Sequence, residues 1–406
     1  MELDDTSGKV ERDELDLSWR EALALEICAR CGICASTCPL YNVKNEFEYS
    51  PVFKADAFRK NIYKPLTSIF RKGKIRKDKL EELKKYIFSC TSCGMCENAC
   101  PFNIKSFDDV TLKLRERCYD LDVKPEGVKK INDRIEAVGN PRKADQETKR
   151  DWTKGLEVKN LKEGDEIAYF VGCTASWDPQ MSKIARYTAE ILNKAGVSWG
   201  ILGTEEPCCG SVAYRTGAYD LGVKQMAECV DKLSAKGVKK VIFTCPGCYK
   251  TIGQDAARLL GKRPFETASM VEFTHELIKD GKISLKELPR AKTTYHDPCH
   301  LGRGMGVYEA PREILKHIPG LEYVEMSKSK AGANCCGGGG GLRMVDRDLA
   351  LEVANKRLEE AQQTGAEILA TPCPYCEVNL SEAAEKFDKK IRVVDVIELV
   401  VEALQS

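Results

Sequence analysis

Eighteen of the twenty cysteines in this 406-residue chain fall into two kinds of repeated spacing. One kind is Cys173, Cys208-Cys209-Gly210 and Cys245-x-x-Cys248, which recurs as Cys299, Cys335-Cys336-Gly337 and Cys373-x-x-Cys376. Its elements are separated by 34 and 35 residues in the first copy and by 35 and 36 in the second. The other kind is Cys28-x-x-Cys31-x-x-Cys34-x-x-x-Cys38-Pro39, which recurs as Cys90-x-x-Cys93-x-x-Cys96-x-x-x-Cys100-Pro101. Thiolates gathered in this way select iron–sulfur clusters or zinc. Structural zinc accounts for isolated Cys-x-x-Cys pairs, but not for two four-cysteine runs beside tandem Cys-Cys-Gly elements. A disulfide framework belongs to small secreted chains, whereas this long chain starts Met1-Glu2-Leu3-Asp4-Asp5 with no apolar leader. Iron–sulfur chemistry remains. Five thiols per Cys-Cys-Gly copy exceed the four ligands of a cubane, so each copy asks for an unusual centre.

The four-cysteine runs match the bacterial ferredoxin pattern, in which three close cysteines hold one [4Fe–4S] cluster and the fourth holds the other. Cys28, Cys31, Cys34 and Cys100 are therefore assigned to one cubane, and Cys90, Cys93, Cys96 and Cys38 to the second. Pro39 and Pro101 turn the chain so that each fourth thiol leaves its own triplet. The two remaining cysteines, Cys118 and Cys229, sit in helix-like stretches and read as small buried hydrophobes.

Composition narrows the class. Lys plus Arg number 63 against 62 for Asp plus Glu, so no net field draws nucleic acid or anionic lipid. No apolar run approaches the roughly 20 residues of a membrane span, so any membrane contact is expected through a partner. Four histidines leave little for haem or di-iron chemistry. Many reduced thiols imply a reducing, anoxic compartment, and a cytoplasmic location is expected, peripheral at the inner face of the membrane if a partner holds it there.

The elements that must position these thiols divide the chain. Residues 1–20 read as a polar arm. Residues 21–120 read as a helical two-cluster ferredoxin domain, with apolar residues at helical spacing over Trp19–Ala29, Ala55–Tyr63 and Lys79–Phe88. The 51 residues between Cys38 and Cys90 hold the basic stretch Arg71–Lys77, which reads as a solvated loop. Residues 121–165 are rich in Lys and Glu and read as a connector with some helix. Residues 166–290 and 291–406 then alternate strand and helix. Strands are expected at Ile167–Val171, Val197–Leu202 and Val238–Thr244, and again at Thr293–His296, Glu322–Met326 and Glu367–Thr371. Helices are expected at Gln180–Lys194 and Ala218–Lys236. Alternation of this kind implies a parallel sheet with helices on its faces. Most ligands then fall just past strand C-termini, where open α/β sheets form their crevices. A repeat offset of 126 to 128 residues implies two homologous Rossmann-like lobes related by a pseudo-twofold. The expected class is a multidomain α+β chain. The glycines at 302, 304, 306 and 337–341 fit neither a dinucleotide nor a Walker fingerprint. They read as close backbone approach to a cluster, with amide donors for its sulfides.

The segments Tyr295-His296-Asp297-Pro298-Cys299-His300-Leu301-Gly302 and Cys335-Cys336-Gly337-Gly338-Gly339 resemble the Cys-Cys-Gly domain family. Its best-known members are the heterodisulfide reductases of methanogens. A two-cubane domain followed by two such repeats resembles the D-type subunit of that enzyme over about residues 20–406. The resemblance implies an oxidoreductase acting on a sulfur group, within a hetero-oligomeric complex. It implies one noncubane [4Fe–4S] cluster on Cys173, Cys208, Cys209, Cys245 and Cys248, and another on Cys299, Cys335, Cys336, Cys373 and Cys376. The disulfide of coenzyme M and coenzyme B would enter between them, with the two cubanes as the wire. His300, beside Cys299, is a candidate proton donor to a departing thiolate. His296 and Asp297 either share that task or cap the turn after the strand. Arg303 and Arg343 are candidate anchors for anionic groups. Iron–sulfur subunits of glycolate and lactate oxidases share the layout. A second reading is therefore an electron-relay subunit between a flavoprotein dehydrogenase and a quinone-linked membrane complex. Neither a flavin fingerprint nor a span is visible, so both readings require a redox partner subunit, either a membrane b-type cytochrome or a soluble flavoprotein.

Overall fold

The computed structural model describes residues 17–61, 76–261 and 264–405. Most of the expected N-terminal arm, and residues 71–75 of the basic stretch, lie outside the described residues. The helical domain starts at Ser18, whose hydroxyl accepts from the Glu21 amide while the Ser18 amide donates to the Glu21 carboxylate. This capping box opens helix Trp19–Ile27. Helices Pro51–Asn61, Lys77–Phe88 and Leu112–Asp120 complete the domain around Leu25, Phe58, Leu80, Ile87 and Leu114. Two one-turn helices, Ile33–Ser36 and Met95–Asn98, carry the third cysteine of each run and adjoin one another.

The rest of the chain forms two four-stranded, all-parallel sheets. The first contains β1 (Ile167–Phe170), β2 (Trp199–Gly200), β3 (Lys240–Phe243) and β4 (Glu266–Ser269), in the order β2-β1-β3-β4. The second contains β5 (Ala291–Tyr295), β6 (Leu321–Tyr323), β7 (Ile368–Ala370) and β8 (Arg392–Val394), in the same order, β6-β5-β7-β8. Identical strand order confirms the duplication. The central strands are short and almost wholly buried, as expected when helices cover both faces. The sequence reading missed β4 and β8. Both are edge strands of three or four residues without an apolar run, and β4 runs straight into a helix capped by its last residue, Ser269.

The two sheets share one core. Helix Val396–Gln405 of the second lobe packs on helix Ser182–Lys194 of the first, so Val400 and Ile314 join Ile242 and Leu192 in one cluster. Residues 121–165 are tied to the first lobe as well: Trp152 and Leu161 are buried in that core, and the Asn132 amide donates to Thr216 Oγ1 at 3.1 Å.

Arg115 fastens the helical domain to both lobes. It is fully buried. Its guanidinium donates to the carbonyls of Ile87, Phe88 and Cys90 in its own domain, of Arg215 in the first lobe and of Gly340 in the second, at 2.6–3.3 Å. Among the described residues, no helix is long and apolar enough to cross a membrane.

Candidate iron–sulfur centres

In the helical domain the thiols cross over between runs. One cavity is lined by Cys28, Cys31, Cys34 and Cys100, and another by Cys38, Cys90, Cys93 and Cys96. Pro39 opens helix Pro39–Lys44 at its first position, which leaves Cys38 as the capping residue pointing out of its own run. The first cavity lies near the surface. Cys31 is exposed, and Ile33 and Phe102 stand beside it, each 46 % exposed. Burial, then the neighbouring charges of Cys28, Cys100 and Cys31, push the Cys34 thiol up to about 11. The second cavity is deeper. Burial pushes the Cys38 thiol up to about 11, and burial, then Glu97 and the other thiols, holds Cys96 well above the ordinary range. Lys54 is buried against this second set, with Nζ donating to the Tyr49 carbonyl at 3.0 Å; burial depresses its pKa.

The five cysteines of each lobe meet in a continuous chain of contacts. In the first lobe Cys173 touches Cys208, Cys209 touches Cys208 and Cys248, and Cys248 touches Cys245. In the second, Cys335 touches Cys299 and Cys336, Cys336 Sγ lies 3.2 Å from Cys376 Sγ, and Cys376 touches Cys373. The middle thiol is favoured as thiolate in both lobes. Cys209 is pulled down by Cys208 and Cys248, and Cys336 by Cys335 and Cys376. All twenty cysteines are free. Thiols packed in this way resist shared ionisation, and bound cations remove both the repulsion and the burial penalty, so all four sets fit iron–sulfur centres.

The third letter of the Cys-Cys-Gly motif has a steric reason. Gly210 and Gly337 have φ of +78° and +83°, and a Cβ there would collide with the carbonyls of Gly222 and Ala350. The turn that aims both thiols inward therefore requires glycine. The glycine run 337–341 has a further use: a Cβ on Gly340 would collide with the Cys90 carbonyl. This run is where the second lobe closes on the ferredoxin-type loop, and it brings Cys93 against Cys335. The lobes also face one another, with Cys245 and Cys373 near enough for their charges to interact.

His300 occupies this junction. Its Nε2 is 3.5 Å from Ser92 Oγ, and its Nδ1 faces Gly247 of the Cys245–Cys248 turn. Burial, then the positive charges of Arg215 and Lys250, hold its pKa well below the ordinary range. Arg215 and Lys250 both pair with Asp255, at 2.7 and 3.0 Å.

Other expected site residues are placed differently. Asp297 is buried in a bidentate pair with Arg312 and accepts from the Lys330 amide, so it holds the loop after β5. Arg303 donates to the carbonyls of Cys93, Ala331 and Ala333, and Arg343 pairs with Asn379 and Glu382. Arg343 is thereby committed to partners within the chain, whereas Arg303 keeps a buried Nη2 without a hydrogen-bond partner among the described residues, beside Cys93, Cys299 and Cys335. The sequence reading passed over Lys54, Arg115 and the buried pair Lys149–Glu206 at 3.1 Å. Glu206 also accepts from the amides of Val171 and Gly172 and so sets the turn before Cys173. The signal available for Glu206 was its place two residues before the Cys208-Cys209 pair.

A helical domain with two crossed four-thiol cavities, joined to two parallel-sheet lobes with five thiols each, defines an iron–sulfur oxidoreductase. A family model described as cysteine-rich domain matches residues 167–253 and 293–381, and one described as 4Fe-4S dicluster domain matches residues 24–104. The chain is 37 % identical to the D-type subunit of the dihydromethanophenazine:CoB–CoM heterodisulfide reductase of Methanosarcina mazei, over 97 % of both chains. It is 28 % identical to one subunit of the CoM/CoB fumarate reductase of Methanothermobacter marburgensis, covering 94 % of this chain and 73 % of that one. It is 27 % identical to the EtfAB:quinone oxidoreductase of Syntrophomonas wolfei, over 96 % of this chain and 60 % of that one. A hypothetical protein from Helicobacter pylori shares the fold, with a TM-score of 0.58 at 12 % identity over 80 % of this chain and 64 % of that one. The chain belongs to the family of heterodisulfide reductase D-type subunits.

Proposed function

We propose that this chain reduces a heterodisulfide, such as that of coenzyme M and coenzyme B, to two thiols. In this reading Cys28, Cys31, Cys34 and Cys100 hold one cubane, and Cys38, Cys90, Cys93 and Cys96 the other. The two five-thiol sets hold noncubane centres. The observation that carries the reading is the succession of thiols from exposed Cys31, through the two adjoining cavities, to Cys93 against Cys335 and onward to the facing Cys373 and Cys245. When bound, the clusters supply electrons singly, and two facing one-electron centres match the two electrons a disulfide needs. The similarity to one chain of a CoB–CoM heterodisulfide reductase over nearly the full length supports the substrate class.

The residues of the chain share the remaining work. Burial disfavours the charged form of Lys54 while the Cys90 and Cys38 thiolates favour it, so negative charge on the inner set and the Lys54 ammonium support one another. The Arg115 clamp fixes the inner loop against both lobes. His300, held neutral at the junction, offers one ring N–H as a hydrogen-bond donor to a departing thiolate, whose proton then comes from solvent. Electrons enter at the exposed cavity from a redox partner, either a b-type cytochrome or a flavoprotein.

Anaerobic assay with reduced viologen and the coenzyme M–coenzyme B disulfide tests this, without added flavin or nicotinamide. Expected are about 16 irons per chain and release of both thiols. Full cluster content with rapid reduction but no thiol release would establish the electron-relay reading instead. Iron settling near eight per chain would reject the noncubane assignment.

A further inference from the structure

The two lobes share their thiol spacing but not the wall behind the thiols. His296 stands three residues before Cys299, where the first lobe has Phe170 three residues before Cys173. Arg357 stands 22 residues after Cys335, where the first lobe has Val230 after Cys208. His296 and Arg357 are both fully buried. Arg357 is fixed by donation from Nη1 to the Lys328 carbonyl at 2.8 Å and to Glu360 at 2.6 Å. Its Nε lies 3.1 Å from His296 Nδ1.

A guanidinium only donates. His296 Nδ1 is therefore the acceptor, and the ring proton of the neutral imidazole sits on Nε2. That N–H is buried, makes no well-formed hydrogen bond among the described residues, and has the Cys336 thiol as its polar neighbour. The imidazole lies against thiols: His296, Cys336 and Cys376 present ligand atoms all within 4.8 Å of one another. A buried N–H without an oxygen or nitrogen acceptor is costly, and the acceptor within reach here is sulfur. The group has the makeup of a metal site, yet direct ligation through Nε2 would require the proton on Nδ1, which Arg357 already occupies.

We propose that His296 is a tautomer-locked N–H donor to the sulfur shell of the second-lobe centre, positioned by Arg357, and that it makes this centre easier to reduce than it would be without that donor. The inference rests on the reading that Cys299 to Cys376 hold a cluster. Hydrogen bonds to cluster sulfurs raise reduction potential. The first lobe offers Phe170 and Val230 in the same places, and neither can donate. The Cys93–Cys335 contact sets the second-lobe thiols against the inner four-thiol set, so electrons leaving that set would reach the second lobe first. In that step the inner four-thiol centre is oxidised by one electron as the second-lobe centre is reduced by one. His296 touches no substrate in this account and acts only through the thiols.

The test compares wild type, His296→Phe and His296→Gln after anaerobic cluster assembly, with iron per chain measured alongside EPR-monitored redox titration. The Phe variant should keep its iron and show one noncubane centre shifted to lower potential, the other three centres unmoved. Gln can accept from Arg357 and donate with its amide, and should hold the wild-type value. Pulsed EPR of the wild type should show a weak nitrogen coupling that the Phe variant lacks. Full iron with unmoved potentials overturns the proposal, as does a strong coupling from directly bound nitrogen. If the Phe variant assembles poorly, the wild-type coupling decides: a weak coupling supports the donor, and an absent or strong one overturns it. A wild type that lacks second-lobe iron rejects the cluster assignment itself, and the proposal falls with it.

Discussion

The two cavities of the helical domain grow from one motif and end in opposite surroundings. The Cys28, Cys31, Cys34 and Cys100 set opens toward solvent beside exposed Cys31, Ile33 and Phe102. The Cys38, Cys90, Cys93 and Cys96 set is enclosed, with a buried lysine on one side and the second lobe on the other. A four-thiol motif therefore specifies what is held and not what the held group faces. In the proposed reading the outer set exchanges electrons with another molecule, and the inner one within the chain. Arg115 maintains that difference, because its carbonyl acceptors lie in the inner loop and both lobes.

The largest effect is expected on breaking that clamp. Arg115→Met removes one donor from each of five carbonyls, of which Phe88 keeps the Cys90 amide, at roughly 1–3 kcal/mol per group left without a partner. A loss above about 4 kcal/mol is expected in anaerobic denaturant unfolding. A loss below about 1 kcal/mol would mean that the inner set is enclosed without it.

Cys38→Ala and Cys100→Ala next test the crossover, each removing about four irons per chain. The EPR signal that survives in Cys38→Ala should be the one broadened by a soluble relaxing agent, and the one surviving in Cys100→Ala should resist it. The reverse pattern would show that each run holds its own cluster.

Lys54→Met sharpens the contrast without removing a ligand. The inner centre should fall in potential by on the order of 60 mV, a tenfold change in a one-electron equilibrium, while the outer one stays put. An equal shift of both would place the lysine's influence outside the inner cavity.

The smallest structural effect is expected at the outer rim. Phe102→Ser should leave stability within about 0.5 kcal/mol. It should slow reduction by the physiological partner while leaving reduction by viologen unchanged. Equal rates with both donors would move the docking site elsewhere.

Much of the site was legible before folding was considered. The crossed thiol groupings that line the two cavities, the strands before Cys173, Cys245, Cys299 and Cys373, and the duplicated lobes follow from local spacing and hydrophobic runs. The edge strands β4 and β8 were not legible, because Glu-Thr-Ala-Ser and Arg-Val-Val carry no periodic signal of their own. Arg343 misled as an anion anchor because a sequence shows a charge but not the amide and carboxylate packed around it. Lys54 and Lys149 were overlooked for the converse reason. Surface-type residues by composition, they are 3 % and 2 % exposed, beside thiols.

The sequence by itself determined the inventory of this protein: eighteen thiols in four sets, two lobes of one design, and glycine after each cysteine pair. These depend on steps of a few residues, where covalent geometry leaves few alternatives. Tertiary structure alone decided which set meets solvent, which thiol meets which lobe, and which histidine nitrogen carries the proton. Arg115 reaches the Gly340 carbonyl across 225 positions, and Arg357 reaches His296 across 61. Contacts at such separations form only when the whole core packs, since closing those loops costs entropy that no local motif offsets.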